Sequence, residues 1–509
     1  MNNKSILLLS FITSLFIVSS ISVYEITFSV IFFYAIFFFL GFYYIRVFTI
    51  NDLDKGRFFT ILFVYGYIFK VFLAILTYYY FISINGYPFE GTSDSMSYHL
   101  SAISIAETWL GKGSHGIIMT GSNLFNHLGG VLYFIGELVG GANPLNVRFF
   151  NCLISALIPI FIFEIGSIIY NKKIGRIAAI IAFWFPDFML YASLQLRDII
   201  LAFLFLLIAY SFITFIQKRK NISLFYAILL IFILFAFRPA YAVIVAGIFF
   251  MGMMITLLQQ KKYFKILVIS LILLFVLIPK IKDSDLIRLI ITTSQDYNIV
   301  TYITESNTAI VKAASSDSLG SSLVASSTSI RKRFTILPIM EVIIPYPPWK
   351  DILSPTTPLT VQEDIAGIFW HLILPLCILG FIYSLKHNRS ESFFLWSSTL
   401  LIIFIVGITY PSLRFRLPVM PFCVIFASVG ITIYRRRDWF LAFYIGFQFL
   451  LFFAYHFLKY RFAFPSDVFK VWLIISMSYI VFTFQKEKLN RIYSSVRRQL
   501  NNINISGRR

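Results

Sequence analysis

One carboxylate stands apart in a chain made mostly of apolar runs. It lies in the polar stretch Glu90-Gly-Thr-Ser-Asp94-Ser-Met-Ser-Tyr98-His99. A carboxylate beside a phenol and an imidazole has the make-up of a general base, able to take a proton from a hydroxyl nucleophile while a leaving group departs. Asp94 is therefore the expected catalytic residue, and Tyr98 and His99 are expected to contact substrate. The same aspartate also suits the N-cap of a helix opening at Ser95, a role compatible with catalysis.

Complementary charge comes from arginines in short turns: Arg197-Asp198, Arg238-Pro239 and Arg414-Phe-Arg416-Leu-Pro418. A guanidinium presents a planar fork of donors that matches phosphate oxygens and can stabilise the charge that develops on a departing phosphate. Arg197, Arg238, Arg414 and Arg416 are the candidate phosphate ligands. Arg331 and Arg333, in the dense cluster Arg331-Lys332-Arg333, join them. The structural alternative is interfacial snorkelling, or pairing of Arg197 with its neighbour Asp198. His99, His115 and His127 share one loop, but their spacing is not that of a helical metal pair, so no metal ligands are assigned; a divalent ion on Asp94 stays open.

The elements that must position these groups are membrane helices. Of the 509 residues 59% are hydrophobic and 13% charged, with a mean hydropathy of +0.82, which excludes an ordinary globular chain. A spanning helix needs about 20 mostly apolar residues. Such runs predict an all-α, polytopic transmembrane helical bundle of about fourteen spans. They fall near residues 5–23, 26–45, 58–82, 147–170, 177–194, 199–216, 222–237, 240–258, 264–279, 365–385, 393–409, 417–434, 439–458 and 469–484. No small-residue cleavage site follows the first run, so it is kept as a span. Cys152, Cys377 and Cys423 all sit in apolar runs and offer no disulfide or metal spacing.

The formal charge of +20 is dispersed in short clusters between these runs, which argues for topology signals and against nucleic acid. Arg46/Lys55/Arg57, Lys172/Lys173/Arg176, Lys218/Arg219/Lys220, Lys261/Lys262/Lys265, Lys386/Arg389 and Arg435/Arg436/Arg437 all fall on one side. By the positive-inside rule both termini are then cytoplasmic, and the long loops 83–146 and 280–364 emerge on the extracytoplasmic face of a bacterial cytoplasmic membrane. Short juxtamembrane helices are expected at 97–110 and 124–139 in the first loop. The chain thus divides into an N-terminal hairpin (1–57), a transmembrane module with its outer loop (58–279), a second outer loop (280–364), C-terminal helices (365–485) and a basic tail (486–509). Lys70 and Glu164 fall inside apolar spans. Each is expected to face a wet cavity or a partner, the other of the two being one candidate.

Four features together resemble the GT-C superfamily of polytopic glycosyltransferases. These are the Asp94-x-x-x-Tyr98-His99 knot in a large outer loop, Arg148-Phe-Phe-Asn151 leading into a span, Phe185-Pro186 followed by residues 193–198, and Arg414-Phe-Arg416-Leu-Pro418-Val-Met-Pro421. The resemblance implies an inverting transfer from a polyprenyl- or dolichyl-linked sugar to a glycan, lipid or protein acceptor, with Asp94 in the place of the outer-loop aspartate and the stretches after it as juxtamembrane helices. Many members carry a second acidic residue beside that aspartate, whereas here its neighbours are Ser93 and Ser95. Two other readings use the same face of the membrane. A polymerase joining lipid-linked saccharide repeat units would lean on Arg331, Arg414 or Arg416, and a flippase or transporter would line a path with polar groups near the midplane.

Overall fold

The computed structural model describes residue 12 and residues 27–90, 94–112, 123–218, 221–259, 358–388, 391–409 and 413–434. Every regular element among them is helical. In chain order they are α1 (Phe28–Phe48), α2 (Leu53–Asn85), α3 (Asp94–Trp109), α4 (Asn123–Val139), α5 (Pro144–Ile169), α6 (Lys172–Phe183), α7 (Pro186–Ser193), α8 (Asp198–Lys218), α9 (Asn221–Phe237), α10 (Pro239–Gln259), α11 (Pro358–His387), α12 (Phe393–Thr409), a 3-10 segment (Leu413–Val419) and α13 (Met420–Tyr434).

Among the described residues six helices are long and apolar enough to cross a membrane: α1, α2, α5, α8, the Ile365–His387 part of α11, and Arg414–Ile433. The expected span 177–194 is a bent pair, α6 and α7, meeting at 46°. Pro186 explains the bend, since it has no N–H to continue the ladder and disfavours helical geometry at Phe185 before it. Helices α9 and α12 have 17 residues each. At 1.5 Å per residue they reach about 25 Å, short of a hydrocarbon layer of about 30 Å. The expected spans 5–23, 264–279, 439–458 and 469–484 lie outside the described residues, as do Arg331, Arg333 and the basic tail. Where the second outer loop was expected to run to residue 364, α11 begins at Pro358, a proline placed where helices tolerate it best.

The chain divides into two compact units, one of Met1–Phe369 with Ser384–Ile425 and one of Trp370–Tyr383 with Phe426–Arg509. In the second, Gly380 and Gly430 let helix backbones touch: a Cβ on Gly380 would meet the Phe426 carbonyl, and one on Gly430 the Leu376 carbonyl. In the first, α5 is the hub, buried along most of its length and packed against α1, α2, α6, α7 and α8. It runs antiparallel to α2, as three contacts in succession show. Lys55 meets Glu164, Lys70 Nζ donates to the Ser155 carbonyl at 3.3 Å, and the Arg148 guanidinium lies 5.7 Å from the Tyr78 ring.

These contacts correct the expectation that Lys70 and Glu164 are paired with each other. They lie on antiparallel neighbours, but Lys70 is fifteen positions beyond Lys55 on α2, about 22 Å along the axis. Each finds its own partner. Lys172 Nζ adds a contact to Asp52 at 3.8 Å, so charged residues at the N-terminal ends of α2 and α6 gather at one end of this unit. The loop carrying Asp94 follows the opposite end of α2.

Helices α5 and α6 turn back on each other through a tight glycine crossing. A Cβ on Gly175 would sit 2.6 Å from the Phe163 carbonyl oxygen and 3.1 Å from the Ser167 nitrogen, and one on Gly166 would lie 3.1 Å from the Gly175 Cα. Small residues of this kind let membrane helices approach closely. Gly175→Val is expected to cost about 1–3 kcal/mol by overpacking, read as a lowered melting temperature in detergent; wild-type stability would contradict the crossing.

Candidate functional site

A broken membrane helix leaves carbonyls without intrahelical donors, and here one face of α5 supplies them. Asn151 Nδ2 donates to the carbonyls of Leu194 and Leu196, each at 2.9 Å. Ser155 Oγ donates to Phe188 O at 2.8 Å, and Cys152 Sγ lies 3.6 Å from Ala192 O. This pins the α7–α8 connection that presents Arg197 and Asp198. One turn earlier, Arg148 donates to the Pro88 carbonyl and lies 5.8 Å from the Phe89 ring. That holds the segment leading to Asp94, where Ser95 Oγ donates to Glu90 Oε1 at 2.8 Å. Residues 148 and 151 of a single helix therefore set the two loops that carry the site's carboxylates.

At that end a third segment arrives. Arg414, in the 3-10 segment, donates from Nε to Asp198 Oδ2 and from Nη1 to Asp94 Oδ2, both at 2.7 Å. The Asp198 side chain is 2% exposed and the Asp94 side chain 58%, so one carboxylate is a buried anchor and the other is open to a ligand. Asp94 is the first residue of α3, not a cap before it, and Arg414 claims its carboxylate.

Around this bridge lie two further guanidinium groups. Arg197 sits 5.7 Å from the Tyr98 ring centroid and donates from Nη1 to Phe237 O at 3.3 Å. Burial, more than the nearby Arg238 and Arg414 charges, holds it below its ordinary pKa, and burial raises the Tyr98 phenol. Arg238 is stacked on the rings of Phe415 at 4.4 Å and Tyr241 at 4.7 Å, and Tyr241 OH donates to Phe415 O at 3.0 Å. The Arg238 guanidinium has no hydrogen-bond or ion-pair partner among the described residues, which leaves its N–H edges available.

Asp94, Tyr98, Arg197, Arg238 and Arg414 thus come together, while Arg416 and His99 take other surroundings. Arg416 is buried with Asp187 of α7 at 3.7 Å. Tyr98, four positions after Asp94, shares its face of α3, and His99 turns inward. His99 Nδ1 lies 2.7 Å from Tyr133 OH, which donates to Gln195 Oε1 at 3.1 Å. With the phenol proton committed to Gln195, the imidazole carries its proton on Nδ1. Asp198 was legible in the sequence only as a neighbour for Arg197. The structure makes it the second carboxylate, supplied from far along the chain. Among the described residues no group of three or more His, Cys, Asp and Glu side chains could hold a metal ion.

Residues 131–281 match the family model of dolichyl-phosphate-mannose-protein mannosyltransferases. That is a glycosyltransferase family of the GT-C kind, so the expected resemblance is borne out over this stretch. The match includes Arg148, Asn151, Arg197, Asp198 and Arg238 and leaves Asp94 and Arg414 outside it. No curated protein matches the chain. Among solved structures, the apo oligosaccharyltransferase of Archaeoglobus fulgidus aligns at 12% identity with a TM-score of 0.43, over 84% of this chain and 55% of that one. The oligosaccharyltransferase AglB of the same organism, in complex with an inhibitory peptide and a dolichol-phosphate, aligns at 13% identity with a TM-score of 0.42 over the same shares. The chain spans about half the length of these structures.

His99 offers a pH test of the site's packing. Burial, and then the Arg148 charge, pull its imidazole from 6.5 to about 4. Between those values the unfolded chain binds a proton that the folded chain refuses, so stability is lost as pH falls from 6.5 toward 4 and is unaffected above that window. The His99→Gln variant should lose less melting temperature than wild type over this acid range. Equal slopes would contradict a buried neutral imidazole.

Proposed function

We propose that this chain is a membrane-embedded glycosyltransferase that moves a sugar from a polyprenyl-phosphate-linked donor to a glycan, lipid or protein acceptor. The setting is the extracytoplasmic face of a bacterial cytoplasmic membrane, with both termini cytoplasmic, in cell-surface polysaccharide or glycoconjugate assembly. The observation that carries this reading is the meeting of solvent-open Asp94 with Arg197, Arg238 and Arg414. The family match over residues 131–281 supports the activity class.

Asp94 accepts the acceptor hydroxyl proton as that oxygen bonds to the anomeric carbon. The bond from that carbon to the phosphate oxygen breaks, and its electron pair leaves with the phosphate. Attack from the face opposite the leaving group inverts the anomeric centre. Arg238, stacked between two rings with its donor edges open, receives the phosphate, and Arg197 adds its charge at the same place. Arg414 fixes the position of Asp94.

The alternatives draw less support. A polymerase was expected to lean on Arg331, Arg414 or Arg416; Arg331 lies outside the described residues, and of the other two Arg414 is held by two aspartates and Arg416 by Asp187. A transporter needs a polar path, whereas Lys70 is spent on a backbone carbonyl and Glu164 on Lys55.

Asp94→Asn should lower kcat by about 10²–10⁴-fold, the usual share of a general base, at unchanged expression. Arg238→Gln should instead raise KM for the lipid-linked donor. Both are read by transfer of a radiolabelled sugar from polyprenyl phosphate in proteoliposomes, and a fully active Asp94→Asn variant would remove the proposed base.

A further inference from the structure

Two carboxylates facing one gap, beside a site that handles phosphate, form a natural seat for a divalent cation. In this chain the gap is filled by a side chain. The Oδ2 atoms of Asp94 and Asp198 each accept from a different nitrogen of Arg414, Nη1 and Nε, at 2.7 Å. The guanidinium plane therefore lies between the carboxylates as a bridging ion would.

We infer that Arg414 serves as a built-in cation in the place a divalent metal would otherwise take between Asp94 and Asp198, so that this site handles a phosphate-linked donor without a metal there. The inference rests on the proposed transferase reading and goes beyond it by assigning the source of the site's positive charge.

Three observations carry it. First, Asp198 is buried at 2% exposure, and a buried carboxylate needs a hydrogen-bonded counter-charge; Arg414 supplies it. Second, Mg²⁺ is held by one or two carboxylates with water and phosphate completing its shell, and Ca²⁺ takes more protein oxygens; either would need the carboxylate oxygens that Arg414 already occupies. Among the described residues the other charged groups around the two aspartates are Arg197 and Arg238, which add no metal ligand. Third, the charges already suit the ligand. Among the described residues three guanidinium groups against two carboxylates leave the cluster with one net positive charge, which a phosphate neutralises and a further dication would push the wrong way. The sequence of the bridge also supplies an order of strength. Asp198 is the fixed end of Arg414 and Asp94 the exposed end, so a ligand reaches Asp94 without disturbing the anchor.

The test reads metal binding directly, without substrate. Purified wild-type protein, titrated with Mn²⁺ and followed by the electron paramagnetic resonance signal of free Mn²⁺, should bind none that Asp198→Asn abolishes. Arg414→Ala should acquire a stoichiometric Mn²⁺, because it leaves two carboxylates facing each other, and the double variant Asp198→Asn/Arg414→Ala should lose it. Wild-type Mn²⁺ binding that disappears in Asp198→Asn would overturn the inference, as would a folded Arg414→Ala variant that acquires no ion. A second measurement needs no variant: transfer by wild-type protein should proceed at the same rate after exhaustive chelation, and loss of transfer restored by Mn²⁺ or Mg²⁺ would overturn it. A protein without transferase activity but with the predicted Mn²⁺ pattern would sink the functional reading and leave the built-in cation standing.

Discussion

Peptide groups inside a membrane have no water to turn to, and that requirement shapes the site end of this molecule. The break at Phe185-Pro186 turns one crossing into α6, α7 and the open turn before α8, and it frees carbonyls that must find donors within the protein. Asn151, Ser155 and Cys152 of α5 provide them. Once that polar face exists, the turn is no longer free to wander, and Arg197 and Asp198 are delivered to one place. Arg148 on the same helix does the equivalent for the strand of chain before Asp94. A stripe of small donors on a buried helix thus acts at a distance from the chemistry by deciding where backbone can run.

The charges assembled there are arranged by burial. Asp198 and Arg416 are almost wholly enclosed, Arg414 mostly so, and Asp94 is open. Enclosed groups are matched one against another, because an unpaired charge in such surroundings is expensive. Open groups need no such match and are free to meet a ligand. The gradient from paired and buried to open and available runs from Asp198 through Arg414 to Asp94, with Arg238 to one side held by aromatic faces instead of a carboxylate.

Much of this was legible in the chain, and what was not has physical reasons. Apolar runs placed the helices well because the bilayer reads length and hydropathy directly; α1, α2, α5 and α8 fall where expected. The bend within 177–194 was not legible, because Pro186 turns a helix without interrupting its hydropathy. Asp94, Arg197, Arg238 and Arg414 were found by residue type, since charged groups near apolar segments are rare enough to stand out. Asp198 was undervalued because its importance comes from a contact 216 positions away, and pattern along a chain carries no information about such contacts. Arg416 shows the converse. It has the same type and setting as Arg414, two positions off, yet the turn of the 3-10 segment sends it inward to Asp187.

That same separation gives the bridge a place in time. Asp94 and Asp198 are synthesised well before Arg414, and at 5–20 residues per second the 216 positions between Asp198 and Arg414 take roughly ten to forty seconds to emerge. Through that interval the earlier helices hold two acidic groups whose counter-ion has not yet been made, so water must serve them until the late segment arrives. This corner therefore closes late in synthesis, and a ribosome halted before codon 414 leaves behind two carboxylates with no charge to close them.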